Sequence, residues 1–288
     1  MNEIVALILA AGRGTRLLPA TKSVPKEMLP LVDRPLIHYT LEEAVASGLG
    51  HAIIVTSGGK DAVHHYFDPD PELERIAAAR GEESPLHLIE DLVGACHLSY
   101  VRQREPKGIA DAVQSAQRAL AGHPFVLYFP DDVIVSRVPV TRQLLDVYER
   151  YGGSVIAVER VKRAHIGRYG VVDGEPLGQG VYLVKGLVEK PRPEDAPSDL
   201  GIVGRYVITP GIFDAIARTR PGAGGELQIT DALQNLLARE PVYACAFEGV
   251  RYDTGNPVGY LRTAVALALG RPDIGPELRV ALKEILGS

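Results

Sequence analysis

Residues 10–30 read AAGRGTRLLPATKSVPKEMLP, a stretch that suits neither a helix nor a strand. It holds two glycines, three prolines, four cationic side chains and one acid. Pro19, Pro25 and Pro30 each lack an N–H and fix φ, so no regular helix runs through them. Loops longer than about 12–15 residues without secondary structure are uncommon in compact domains, and are usually functional or disordered. What surrounds the stretch decides between the two.

Residues 3–9 before it form a continuous apolar run of strand length, as a strand buried on both faces requires. Residues 35–47 then read as an amphipathic helix with Leu36, Tyr39, Leu41 and Val45 placed for burial and Gly48 as its stop, followed by an apolar strand at 51–56. The pattern recurs as a strand at 97–102, a helix at 110–121 and a strand at 124–129 that runs into Pro130, Asp131 and Asp132. Such alternation predicts an α/β fold, a parallel sheet covered by helices with ligands at the carboxyl ends of its strands. The long loop and the Asp pair both fall at such ends.

Residues 61–95 are more charged and read as helical, broken at Asp68-Pro69-Asp70-Pro71. After about residue 153, strand-like pieces at 154–158, 169–173, 181–189 and 202–209 alternate with Gly and Pro turns. This predicts a small mixed-sheet β extension of one domain spanning 1–288, closed by helices at 225–239, 256–269 and 277–286.

Charge narrows the partners. With 31 basic against 36 acidic residues there is no cationic excess to hold nucleic acid or an anionic membrane, so an anionic ligand must be met locally. Cys96 and Cys245 are far apart and form no metal-spaced pair, which suggests reduced thiols. The opening run IVALILAA is too short for a bilayer and has no basic region before it, so a cytoplasmic protein without a signal peptide or membrane segment is expected.

The loop invites comparison with the dinucleotide fingerprint G-x-G-x-x-G, but Leu17 stands where the third glycine belongs, and no Gly-Lys-Ser/Thr of a P-loop is present. What remains is a small-residue backbone at 10–14 whose N–H groups can approach a phosphate or a base, followed by Arg13, Arg16, Lys22 and Lys26. A bare cluster of this kind is more often a solvated basic loop. Its place after the first strand of an α/β sheet favours a functional reading.

The segment LAAGRGTRLLPATKSVPKEMLP, with PLIHYTLEEAVASG behind it, resembles the nucleotide-binding signature of sugar-phosphate nucleotidyltransferases. PKEMLP is similar to the version in their uridylyltransferase branch rather than the Ser-Lys-Gln-Leu version of thymidylyltransferases. Further matches are VRQ from 101, PKG from 106, PDD from 130, GRYGVV from 167, VEKP from 188, GRYVITPGIF from 204, GGELQITDAL from 224 and YDTGNPVGYL from 252, so the resemblance covers residues 3 to about 270. It implies a Rossmann-like nucleotidyltransferase fold with a mixed, mostly parallel central sheet. A nucleotide-binding half would lie at about 1–153 and a sugar-phosphate half at about 154–288.

The activity implied is transfer of a uridylyl group from UTP to glucose 1-phosphate, giving UDP-glucose and pyrophosphate. Two anions must be brought together and extra negative charge stabilised, which calls for cations. A sugar phosphate is already ionised at neutral pH, so no general base is needed. By the resemblance, Arg16 and Lys26 hold the triphosphate and Lys190 the sugar phosphate, while Asp131 and Asp253 ligate Mg2+ together with phosphate oxygens. Ala10, Ala11, Gly12, Gly14, Gln103 and Gly108 would form the nucleotide site, with the Gln103 amide offering donor and acceptor to uracil. Gly170, Glu189 and, more weakly, Val203 would meet the sugar. Self-association, as a dimer or tetramer through the late helices, is also implied.

One departure concerns residues 110–111: family members commonly have Gly-His where this chain has Ala110-Asp111. The expectation is that Asp111 points away from the nucleotide as a helix-start residue. Three other readings stay open: a thymidylyltransferase or another sugar specificity, a catalytically silent paralogue that binds nucleotide sugar, and a Rossmann oxidoreductase, which Leu17 opposes.

Overall fold

The computed structural model describes residues 3–81 and 83–287. Nine strands form one sheet: β1 (Val5–Leu9), β2 (His51–Thr56), β3 (His97–Arg102), β4 (Phe125–Tyr128), β5 (Ser154–Arg160), β6 (Gly170–Gly178), β7 (Val181–Glu189), β8 (Leu200–Ile208) and β9 (Val242–Ala246). Their order across the sheet is β3-β2-β1-β4-β8-β5-β9-β7-β6. From β3 to β4 every pairing is parallel, whereas β8 and β7 are antiparallel to their neighbours. The predicted extension is thus the second half of one continuous mixed sheet.

Strand β1 shows why its apolar run is unbroken. Val5 and Leu7 pack into a core on one face, with the helices Ile109–Ser115, Ile212–Ile216 and Ile229–Leu236, and Ala6 and Ile8 into a core on the other, with Leu36–Ala46, Asp61–Phe67 and Val140–Tyr151. A strand covered on both faces has no side that can be polar. Burial of side chains such as Leu7 and Ile8 contributes about 1.5–3 kcal/mol each.

The strand order 3-2-1-4 places a reversal between β1 and β4, since successive strands are added on one side of β1 and then on the other. A crevice opens at such a point outside the carboxyl ends. The loop at residues 10–30 leaves β1 there and Asp131 leaves β4 there. The loop is neither helix nor strand, as predicted, but it is built: three single 3-10 turns, Thr15–Leu17, Ala20–Lys22 and Lys26–Met28, shape it.

Several boundaries differ from the sequence reading. The helix predicted at 110–121 is two pieces, Ile109–Ser115 and Gln117–Leu120. The helix predicted from 225 begins at Ile229, because Gly224 and Gly225 take positive φ values of 71 and 74 degrees. Residues 61–95 form three helices, and Asp70 caps the second by accepting a hydrogen bond from Leu73 N at 3.0 Å ahead of Pro71. Glu82, within that segment, lies outside the described residues. Strand β9 and a short antiparallel pair, Asp132–Val135 with Val250–Asp253, were not anticipated.

Candidate active site

The short antiparallel pair explains how two acids far apart in sequence meet. Asp253 stands opposite Asp132 in its register, and one step further the N–H and hydroxyl of Thr254 both donate to the carbonyl of Asp131, each at 2.9 Å. Asp131 and Asp253 are therefore held beside one another through the backbone. Beneath them, Arg251 donates from Nε to Asp132 Oδ1 at 2.7 Å and from Nη1 to Glu159 Oε1 at 3.0 Å, and Asp132 Oδ2 accepts from Gly204 N at 2.7 Å. Asp132 thus belongs to a buried network that supports the acids. Burial pushes its carboxyl above the usual range despite Arg251, with Asp131 adding to the effect.

Lys26 crosses the crevice. Its Nζ donates to Asp131 Oδ2 at 2.8 Å. The same side chain passes over the start of its own loop, where a Cβ added to Gly12 would stand 3.7 Å from Lys26 Cε. Burial pushes the Asp131 carboxyl up, but the Lys26 ammonium and, further off, Arg16 hold it below its ordinary value overall. Arg16 also reaches the acids: a Cβ on Gly255 would lie 3.1 Å from Arg16 Nη2 and 2.9 Å from Asp253 Oδ1. Asp253 Oδ1 meanwhile accepts from Gly255 N at 2.8 Å. Arg16, Lys26, Asp131 and Asp253 are therefore brought together.

Gly14 is required where it is. Its φ is 64 degrees, and a Cβ would meet Lys26 Cβ and Thr21 Cγ2 at 3.1 Å. Thr21 Oγ1 ties the turn by donating to Gly14 O at 2.8 Å.

A cavity of about 450 Å3 opens beside this cluster, lined among others by Ala11, Gly12, Arg13, Lys22, Lys60 and Gln103. It collects the loops that follow β1, β2 and β3. Ala10 does not join it as expected: its N–H donates to Val55 O at 2.8 Å within the sheet and its side chain lies in the core. Its backbone donor is already committed, so the approach to a ligand begins at Ala11 and Gly12.

Lys60 escaped the sequence reading. It is 7% exposed, and its Nζ donates to Gly12 O at 2.7 Å and to the fully buried Glu27 at 2.8 Å. Burial pushes the Glu27 carboxyl up against the pull of Lys26 and Lys60, and its Oε1 has no hydrogen-bond partner among the described residues. The signal was present in Ser57-Gly58-Gly59-Lys60, a glycine turn at the carboxyl end of a strand like the one after β1.

Gln103 is buried at the end of β3 and lines the cavity. Its Nε2 donates to Asp111 Oδ2 at 2.7 Å and, at 3.4 Å, to Gly108 O. The expectation for Asp111 therefore needs correction: it sits in the first helical turn as predicted, but its carboxylate turns toward Gln103. Gly108 has φ of 119 degrees, and a Cβ there would be 2.5 Å from Leu227 O, so only glycine fits.

The predicted sugar residues form a second group. Glu189 pairs with Gly170 in the β7–β6 register, and a Cβ on Gly170 would lie 3.2 Å from Glu189 Oε2 and 2.9 Å from Thr230 Oγ1. Lys190 Nζ is 2.9 Å from Glu189 Oε1. Its backbone is left-handed, with φ of 47 degrees, which turns it off the line of β7. Val203 stands apart: its side chain is closed into the second core, so any contact it makes with a ligand is through its backbone. Thr230 and Asp231, near Glu189, were not singled out in the sequence; burial and the Glu189 carboxylate together push the Asp231 carboxyl up.

The family model described as nucleotidyl transferase matches residues 5–268. A UTP–glucose-1-phosphate uridylyltransferase of Staphylococcus epidermidis is 42% identical over 280 residues, covering 97% of each chain. A structure of UDP-glucose pyrophosphorylase complexed with UDP-glucose superposes with a TM-score of 0.87 at 40% identity, over 93% of this chain and 100% of that one. A UTP-bound UGPase from Acinetobacter baumannii gives a TM-score of 0.91 at 32% identity, over 98% of this chain and 99% of that one.

Proposed function

The chain belongs to the nucleotidyl transferase family, and from that premise we propose that it transfers a uridylyl group from UTP to glucose 1-phosphate, forming UDP-glucose and pyrophosphate. The reading is carried above all by the Lys26–Asp131 contact, which brings the loop after β1 and the end of β4 to one point beside the nucleotide-sized cavity. The named activities of its relatives support it.

In this reading the sugar phosphate attacks the α-phosphorus of UTP in line, and pyrophosphate leaves from the opposite side. Arg16 and Lys26 neutralise the triphosphate, Lys26 as a mobile point charge and Arg16 as a planar fork. Ala11, Gly12 and Gly14 let the backbone approach the nucleotide, with Gln103 and Gly108 at the base. Lys190 holds the sugar phosphate, while Glu189 and the backbone at Gly170 meet sugar hydroxyls. Proximity and charge supply most of the catalysis, since both reactants are anions that water would keep apart.

The donor set fits Mg2+. Asp131 and Asp253 offer hard oxygens from adjacent positions, and a magnesium ion held by one or two carboxylates takes the rest of its shell from phosphates and water. Among the described residues no group of three or more His, Cys, Asp or Glu could hold a metal by itself. When bound, the ion would offset charge on the phosphates during transfer. Lys26 already neutralises Asp131 in the structure, so it and a metal compete for the same carboxylate.

Self-association and a cytoplasmic setting remain part of the proposal. Val258 and Leu261 on the helix Pro257–Gly270 and Ile285 and Leu286 on Gly275–Leu286 are exposed apolar side chains that would suit a protein contact. Cys96 and Cys245 are free and buried, and burial pushes both thiols up to about 11, as suits inert reduced cysteines. Among the described residues no helix is long and apolar enough to cross a membrane.

Steady-state rates with UTP and dTTP against glucose and galactose 1-phosphates test the substrate assignment. UTP with glucose 1-phosphate should be the best pair, and a strong dTTP preference would overturn the uridylyl reading.

A further inference from the structure

We infer that Asp111 is a positioning residue that sets which bases the nucleotide site accepts, by fixing the orientation of the Gln103 amide. This rests on the cavity being the UTP site. An amide can present its oxygen or its nitrogen to a ligand, and a free glutamine does either. Here both N–H groups of Nε2 are committed: Asp111 Oδ2 accepts at 2.7 Å and Gly108 O at 3.4 Å. The reversed amide would set Oε1 against a carboxylate and a carbonyl. Three acceptors would then face each other with no proton among them, and two hydrogen bonds would be lost.

The frame around the amide does not yield. Gly108 O also accepts from Ala112 N at 3.2 Å, and the approach of Leu227 O to Gly108 leaves no room for another residue type. Leu227 N in turn donates to Lys107 O at 2.8 Å, which fastens the loop to the segment before the helix Ile229–Leu236. Gln103 N donates to Thr56 O at 2.8 Å and holds the end of β3 to β2. What the cavity meets is therefore Oε1, an acceptor, and not the mixed donor and acceptor expected from the sequence.

An acceptor at that point selects a chemical class. Uracil and thymine carry N3–H, a donor that Oε1 can accept. Cytosine has a lone pair on N3, and two acceptors would collide there. Asp111 accordingly favours UTP and dTTP over CTP without separating the first two.

The test is the ratio of kcat/KM for UTP over CTP, and for UTP over dTTP, in wild type, Asp111→Asn, Asp111→Leu and Asp111→Glu. Loss of an ionic acceptor frees the amide to turn, so the UTP-over-CTP ratio should fall about tenfold or more in the Asn and Leu variants. The UTP-over-dTTP ratio should stay near wild type, and Asp111→Glu should restore much of the discrimination. A merely structural Asp111 would lower activity with all three nucleotides together. Should Asp111→Leu fail to fold, the isosteric Asp111→Asn carries the measurement. An unchanged UTP-over-CTP ratio in an active Asn variant would overturn the inference and leave uridylyl transfer standing. A wild-type enzyme that turns over CTP but not UTP would overturn both.

Discussion

Lys26 Nζ lies 2.8 Å from Asp131 Oδ2, so the loop that follows the first strand is fastened to the residue that follows the fourth across the switch point of the sheet. The contact has a pH signature. Asp131 is held below its ordinary value in the fold, so it contributes stability above the unfolded carboxylate pKa of about 3.9, and that contribution disappears as pH falls through the depressed folded value. Asp131→Asn should melt below wild type at pH 7, and the gap should close in strong acid. Thermal melts from pH 7 down to pH 2 check this, and a gap that persists undiminished at pH 2 would refute it.

Arg251 should matter to stability more than its distance from the cavity suggests. It neutralises Asp132 and Glu159 at once in a region where Arg251 and Asp132 side chains are 12% and 9% exposed. Arg251→Met leaves the buried Asp132 carboxylate without its cation and should cost about 3–5 kcal/mol. Adding Asp132→Asn should recover part of this. Urea unfolding of the two single variants and the double variant measures it, and full additivity would mean that the pair does not act as a unit.

Lys190 is half exposed and stands with Glu189, away from the Lys26 cluster. Lys190→Ala should raise KM for glucose 1-phosphate about tenfold or more, as loss of a charged contact does, while leaving KM for UTP much less affected. Initial rates with each substrate varied in turn separate the two. Equal, mild effects on both would move the sugar phosphate elsewhere.

His38 gives a second pH test, far from the chemistry. It is 1% exposed, its Nδ1 lies 2.9 Å from Tyr66 Oη, and burial, with Arg34 adding to it, pushes its pKa down to about 4. The unfolded chain binds the proton more readily, so stability falls as pH drops from about 6.5 towards 4 and levels off below, by roughly 3 kcal/mol at most. Asn in place of His38 should flatten this part of the curve. Urea midpoints between pH 7 and 4 read the change, and an unaltered slope would count against a buried neutral imidazole.

The half of the sheet from β3 to β4 was legible because strands buried on both faces must be apolar throughout and helices must keep their period. The loop at 10–30 was legible for the opposite reason, since its prolines and glycines forbid both patterns. Gly12, Gly14, Arg16 and Lys26 all meet there, the glycines as the loop's place after a strand suggested and the two cations as the family resemblance implied. Less could be read where tertiary contacts decide. Whether Ala10 N–H is free depends on Val55 in another strand, and whether Val203 faces a ligand or the core depends on which side of β8 it falls. The direction of the Asp111 carboxylate is set by Gln103, eight residues earlier and on another element. Lys60 was missed because one lysine after a glycine turn looks like any surface lysine until Glu27 is folded beneath it.

The most direct measurement is pyrophosphate release by the purified protein given UTP, glucose 1-phosphate and Mg2+, with UDP-glucose quantified alongside. The account predicts equal amounts of the two products, formation that stops on chelation of the metal, and loss of at least about a hundredfold in rate in Lys26→Met. Binding of UDP-glucose with no release of pyrophosphate would contradict it and mark the chain as a silent binder of nucleotide sugar.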